Sequence, residues 1–255
     1  MYRLLFLLFI FLIINCSQKN KLSHEEDCNN VYEKLHLKFT KKKYTATREG
    51  YEDFLSTCNG TAFIEQAHYE LVQSYYLVKD WAGAEMEAEE FLQSNPNSKY
   101  NEIISFQLAQ SLAHQIYSVD RDQKNTYRAI EKFEHFAKLF PTSSKLDSAN
   151  AKKKELYQQL ANKEIRIAKL YLKLGEPQAA AIYFKISLKD YKEYIDKNLI
   201  YLHLAECYIR LNQINQAKSY LKEVGDLSQE SPHHSKKSKL EKKLAKIKKN
   251  QSKTS

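Results

Sequence analysis

The feature that most constrains this chain is a spacing that occurs twice. Ala129, Phe133, Phe136 and Pro141 follow one another at offsets of four, three and five. Ala84, Ala88, Phe91 and Pro96 keep the same offsets. A small residue lets two helices approach closely, an aromatic residue further along the helix fills the gap between neighbours, and the proline ends the pair because it has no N–H for the next helical bond. The pattern predicts the second half of a helix-turn-helix unit that repeats along the chain.

A repeat of about 34 residues with this signature is the tetratricopeptide repeat, whose first helix also carries an apolar residue followed by a Tyr. Thirteen and nine residues before Ala84 stand Leu71 and Tyr75; the same steps before Ala180 reach Ile167 and Tyr171, and before Ala217 they reach Leu204 and Tyr208. A generic amphipathic helix keeps i, i+4 apolar pairs but not a fixed distance to the following Ala. Only five Gly and four Pro occur in 255 residues, too few for the turns of a sheet fold. The expected fold is therefore all-α, an α-solenoid of about five tetratricopeptide repeats over residues 31–228.

Repeat one is the weakest, with Leu35 and Phe39 inward on its first helix and Tyr51 and Phe54 on its second. Repeat two spans about Thr61 to Asn97, with a short turn near Lys79 to Trp81. In repeat three Leu108 and Leu112 hold the first-helix positions and the Ala comes eight residues late, so Ile116 to Asn125 must loop out. Repeat four begins with a long helical pattern from about Ser144 to Leu174, stopped and restarted by Gly175 and Pro177. Repeat five runs from Asp196 to about Leu227.

The ends differ from the body. Leu4 to Ile14 is an unbroken apolar run behind Arg3, shorter than the about 20 residues needed to span a bilayer, and it suits the core of a secretory signal. Residues 1–15 are expected to be that signal, and Ile13-Ile14-Asn15-Cys16 resembles a bacterial lipobox, which makes Cys16 the expected acylated N-terminus; a plain signal peptide with an incidental Cys is the competing reading. Asn15 departs from the small residue usual before that Cys. Residues 16–30 are expected to form a polar linker without helical periodicity. Residues 229–255 form a basic tail: from Glu230 onward there are nine Lys and two Glu, a net +7 of the chain's formal +9. Within it Leu240, Leu244 and Ile247 share a stripe, which reads either as a surface for anionic head groups or an acidic partner, or as a solvated helix shielding the last repeat.

Catalysis finds little support, since no G-x-G-x-x-G, H-E-x-x-H or G-x-S-x-G stands in the chain. Glu85, Glu87, Glu89 and Glu90 alternate around a helix and read as a solvated face. His233 and His234 make a weak metal candidate, because neighbours on a loop seldom complete a coordination sphere; no metal or other cofactor is expected. Nucleic acid is an improbable partner for an exported chain. Cys28 and Cys58 bracket repeat one and are candidates to pair in an oxidising compartment, though spacing alone does not decide connectivity, while Cys207 reads as a small buried apolar residue.

Cys16 behind the apolar leader, five repeats, the Val119-Asp120-Arg121-Asp122 insertion, the run from Ala129 to Ser143 and the run from Ala168 to Tyr191 together resemble the BamD family, tetratricopeptide lipoproteins of the outer-membrane β-barrel assembly machine. The resemblance covers residues 31 to 228. It implies a non-enzymatic scaffold, lipid-anchored on the periplasmic face of the outer membrane. It implies as partners a BamA-like barrel protein with periplasmic repeat domains, other assembly-machine lipoproteins and unfolded outer-membrane proteins. Asp120, Arg121 and Asp122 would form a partner-contact loop, and Tyr183 stands where the family has an Arg at its partner contact. The competing reading is another tetratricopeptide envelope lipoprotein, a peptidoglycan-linked scaffold or a glycan-uptake binding protein.

First helices of such repeats line a concave surface. Counting from Ala84 places Tyr69, Gln73 and Tyr76 there, with Phe106, Gln110 and His114 as their counterparts in repeat three and Tyr32 and His36 in repeat one. Rings and amides suit an extended peptide ending in an aromatic residue. The alternative is that half of the tyrosines belong to the core between repeats.

Overall fold

The structure, a computed structural model, describes residues 25–116, 123–225 and 227–251. Every regular element among them is helical. Helix α1 covers 25–40; after a 3-10 turn (Tyr44–Thr47) follow α2 (Arg48–Thr57), α3 (Ile64–Leu77), α4 (Trp81–Ser94), α5 (Asn101–His114), α6 (Lys124–Leu139), α7 (Leu146–Lys173), α8 (Pro177–Asp190), α9 (Lys197–Arg210), α10 (Ile214–Glu223) and α11 (His234–Gln251). The first ten pair into five repeats. The chain forms two compact units: one holds the described residues up to Ile116 together with Lys124–Asn150, the other Ala151 onward.

The spacing that predicted the repeats is the spacing of the core. Ala84, Ala88 and Phe91 are buried on α4, and Ala129, Phe133 and Phe136 on α6. The same two steps, of four and three residues, carry Thr47, Tyr51 and Phe54 in repeat one, Ala180, Phe184 and Ser187 on α8, and Ala217, Leu221 and Val224 next to or on α10, all buried. Each second helix thus turns one narrow stripe inward, and a lone pair of helices would leave that stripe wet.

The turn within a repeat is also the same in the four repeats whose turn is described. Lys42, Lys79, Gly175 and Asn212 all adopt positive φ, between 57° and 83°. At each, two backbone bonds close the preceding helix; at Lys79 they are Lys79 N–H to Tyr76 O (3.0 Å) and Asp80 N–H to Tyr75 O (3.1 Å). This is the Schellman arrangement, with a left-handed residue reversing the chain. In repeat two Asp80 then caps α4 by accepting from Gly83 N–H at 3.2 Å. Gly83 is required for a different reason: a Cβ there would lie 2.1 Å from the Tyr75 ring.

One expectation is corrected. Residues 25–30, expected in the linker, are already helical, and Cys28 is buried and disulfide-bonded to Cys58 with a Cα–Cα distance of 5.8 Å. A polar sequence hid the helix because only one narrow face meets α2. The basic tail is helical over α11, and Leu240 and Leu244 bury against the α9 and α10 core, with Ile247 partly buried beside them. Its apolar stripe is therefore consumed by the last repeat. Cys16, the expected signal segment 1–15 and the Asp120-Arg121-Asp122 loop lie outside the described residues. No described helix is long and apolar enough to cross a membrane.

Candidate functional site

The candidate surface is the face shared by α1, α3 and α5, the first helices of repeats one to three. The eight expected groove residues all stand on these helices, but not all are open to a ligand. Tyr32, Gln73 and Phe106 are buried, and for these three the expectation of an accessible groove residue is corrected. They meet the next repeat because their side chains fall where successive helices touch. Gln73 and Gln107 form a reciprocal amide pair, with Nε2 of each donating to Oε1 of the other at 2.6 and 3.0 Å. Phe106 packs against the rings of Phe133 and Phe136.

Tyr32 belongs to a cluster around Glu70, whose side chain is 1% exposed. Glu70 accepts from Tyr32 Oη–H at 3.2 Å, from Gln66 Nε2 at 2.8 Å and from the hydroxyl of the fully buried Tyr51. His36 Nδ1 lies 2.9 Å from the same carboxylate. Burial, reinforced by Glu70, pushes the Tyr32 and Tyr51 hydroxyls well above the ordinary tyrosine range and keeps them donors. The cluster locks α1, α2 and α3 together. A buried carboxylate is tolerated there because its lone pairs are occupied.

A different set remains accessible. Tyr76 donates its hydroxyl to Gln110 Oε1 across repeats two and three, and both are half-buried. His114 is exposed and stacks on Trp81 at 4.1 Å between centroids; Trp81 meets Tyr76 edge-on at 5.6 Å. Gln115 Nε2 donates to the Trp81 carbonyl at 3.2 Å and to Glu85 at 2.6 Å, fixing the end of α5 against the start of α4. Further along, Tyr69 stacks on Tyr100 at 4.1 Å, and Tyr100 donates to Gln66. Burial raises the Tyr69 and Tyr76 hydroxyls, so they remain neutral donors.

Trp81 and Tyr100 are the residues that sequence reasoning missed. A signal for Trp81 existed: it is the chain's single Trp and follows the Asp80 cap. The period itself was a second signal, since Gln66–Tyr100, Gln73–Gln107, Tyr76–Gln110 and His36–Glu70 are each separated by 34 residues. Side chains one repeat apart face each other, so the pairs were legible as spacing.

Other expectations resolve differently. Glu87 is not on a solvated face: it is buried, 3.7 Å from the equally buried His68 Nε2, and burial followed by Glu90 and Glu52 pushes its carboxyl up to about 7. His233 Nε2 sits 2.5 Å from Asp196, and no group of three His, Cys, Asp or Glu among the described residues is placed to hold a metal. Tyr183 stacks on Tyr171 at 5.5 Å. Cys207 is a buried free thiol, raised by burial to about 12.

The chain is similar to known proteins over most of its length. A family model described as "YfiO: Outer membrane lipoprotein" matches residues 24–224. The "Putative outer membrane protein assembly factor BamD" of Aquifex aeolicus is 28% identical over 220 residues, covering 85% of this chain and 72% of that one. The "Outer membrane protein assembly factor BamD" of Rickettsia prowazekii is 26% identical over 187 residues, covering 72% and 74%. Among solved structures, the type IV pilus biogenesis factor PilW aligns over 77% of this chain and 91% of its own at 15% identity and a TM-score of 0.36, too distant to bear on function.

Proposed function

This chain belongs to the YfiO outer-membrane lipoprotein family, that of the BamD assembly factors, and from that premise we propose that it is a non-catalytic scaffold in outer-membrane β-barrel assembly. The observation that carries the reading is the family match across residues 24–224, nearly the whole repeat array. The fold supports it: an array of helix pairs offers a long surface for other chains.

On this reading Cys16 carries the lipid that holds the chain at the periplasmic face of the outer membrane. The accessible set of the first unit, Tyr69, Tyr76, Trp81, Gln110 and His114, receives an extended segment of an unfolded barrel protein. Rings supply contact area at little entropic cost, and Gln110 has an amide for the peptide backbone. Repeats four and five, together with Asp120, Arg121 and Asp122, contact a BamA-like barrel protein and other lipoproteins of the machine.

Depletion of the protein tests the role. Loss of barrel proteins from the outer membrane is the expected result; intact barrels with altered wall or sugar uptake would overturn it. Photocrosslinkers at position 76 or 114 are expected to capture unfolded barrel proteins, and at positions on α8 or α9 the barrel partner.

A further inference from the structure

The basic helix α11 lies beyond the family match, which ends at residue 224, and its apolar stripe is spent on the repeat core. Lys236 pairs with Glu206 of α9, but much of the helix's charge is left at the surface. Lys239, Lys242, Lys243 and Lys246 are exposed. Where α11 leans on α10, a groove of about 490 Å³ opens, lined by Lys218, Lys222 and Lys237, with Leu221 and Leu244 as its floor and Glu241 and Gly225 at its edge. Lys237 is held in place by donating to the Gly225 carbonyl, with Glu241 3.9 Å from it. Lys218 and Lys222 are exposed.

We propose that this groove between α10 and α11 binds the phosphate head group of an anionic phospholipid, seating the end of the repeat array on the membrane surface. Three ammonium groups face one Glu carboxylate in the groove, a positive excess that matches a phosphodiester. Leu221 and Leu244 are buried in the core, so the groove offers its occupant ammonium groups rather than apolar area. The exposed lysines of α11 extend the positive field beyond the groove, drawing it toward a surface rather than a single ion. The inference leans on the reading above only for the nearness of a membrane.

The test is partition of the full chain onto vesicles of phosphatidylcholine alone or with phosphatidylglycerol. The expected result is preference for the anionic vesicles that weakens with salt. Lys218→Gln with Lys222→Gln should reduce that preference about twenty-five-fold, since a surface lysine contributes roughly fivefold. Both side chains are exposed, so the fold is retained, which helical circular dichroism checks. Lys222→Arg should keep the preference. Lys153→Gln with Lys154→Gln removes equal charge from α7 and should leave most of it. The apolar leader is common to all variants and cancels. Equal partition onto both vesicles overturns the proposal, as does an equal loss in the α7 variant. Displacement by a soluble acidic peptide, lost in the Lys218/Lys222 variant, would make the groove a protein-docking site instead and also overturns it. No assembly partner is present in the assay, so its failure leaves the scaffold reading standing.

Discussion

Two carboxylates show how differently the two units use charge. Glu87, in the first unit, is buried between α3 and α4 with no cation bonded to it, and its carboxyl rises from 4.5 to about 7. Glu206, in the second, falls from 4.5 to about 2, because its neighbours His203, then Lys236 and Arg210, outweigh burial. Lys236 belongs to α11 and lies 3.3 Å from Glu206, which is how the added helix is tied to α9. The first unit also has ion pairs, such as Arg48 with Asp80 at 3.0 Å, but adds amide and hydroxyl ladders one repeat apart and a covalent staple. The same helix pair is therefore held by different forces at the two ends of the chain. A repeat fold specifies only where side chains meet; what they do there is left to each sequence.

The largest expected break in this contrast is loss of the staple. Cys28 and Cys58 close a loop across 30 residues, and removing such a link frees the unfolded chain enough to cost about 3–4 kcal/mol. Cys28→Ser, or reduction, should lower the denaturation midpoint read by Trp81 fluorescence, a probe of the first unit. Hydrogen exchange of α9 and α10 amides should change far less.

Next comes Glu87. A carboxyl raised in the folded state favours folding below the unfolded value near 4.5, and that advantage is lost as pH climbs through about 7. The first unit should lose on the order of 2–3 kcal/mol between pH 4.5 and 8. Glu87→Gln should flatten that slope in denaturant titrations. A wild-type slope that survives the substitution would place the titrating group elsewhere.

Glu206 should behave oppositely. Its depressed value gives stability above pH 4.5 that is lost as pH falls through about 2. Its side chain is 23% exposed, so solvent screening trims the effect to about 1–2 kcal/mol. Acidification from pH 5 to 2.5 should release protection of α11 amides first, and Glu206→Gln should release them already at pH 7.

These contrasts also mark what was legible in the sequence. Ala84, Phe91, Ala129 and Phe136 announced the repeats because close helix packing leaves few choices at those positions. The long α7 and its stop at Gly175 were legible because Gly and Pro act locally. Burial of Glu87 was not: its run alternates charge around α4 as a wet face does, and only the opposing α3 with His68 makes that position interior. Tyr32 and Gln73 misled for a related reason. An amphipathic ring or amide on a first helix suits a ligand and a neighbouring repeat equally well, and local pattern does not separate the two. The helix at 25–30 was hidden because Cys28 alone is buried there.

The smallest expected effect sharpens the comparison at the backbone. The reversing residues of the second unit are Gly175 and Asn212, types that enter the left-handed region readily; those of the first are Lys42 and Lys79, which do so under strain. Left-handed backbone costs a residue with a Cβ about 1–2 kcal/mol, and glycine gives back part of that through its freer unfolded chain. Lys79→Gly should therefore stabilise the first unit by about 0.5–1 kcal/mol. Gly175→Ala should destabilise the second by about 1 kcal/mol, although no atom lies within 4 Å of the added Cβ, so that the whole effect is conformational. Thermal unfolding of both variants reads the signs directly. If Lys79→Gly were neutral while Gly175→Ala was costly, the lysine would have to be recovering its strain through a contact of its side chain, and Lys79→Ala would then be destabilising where glycine is not.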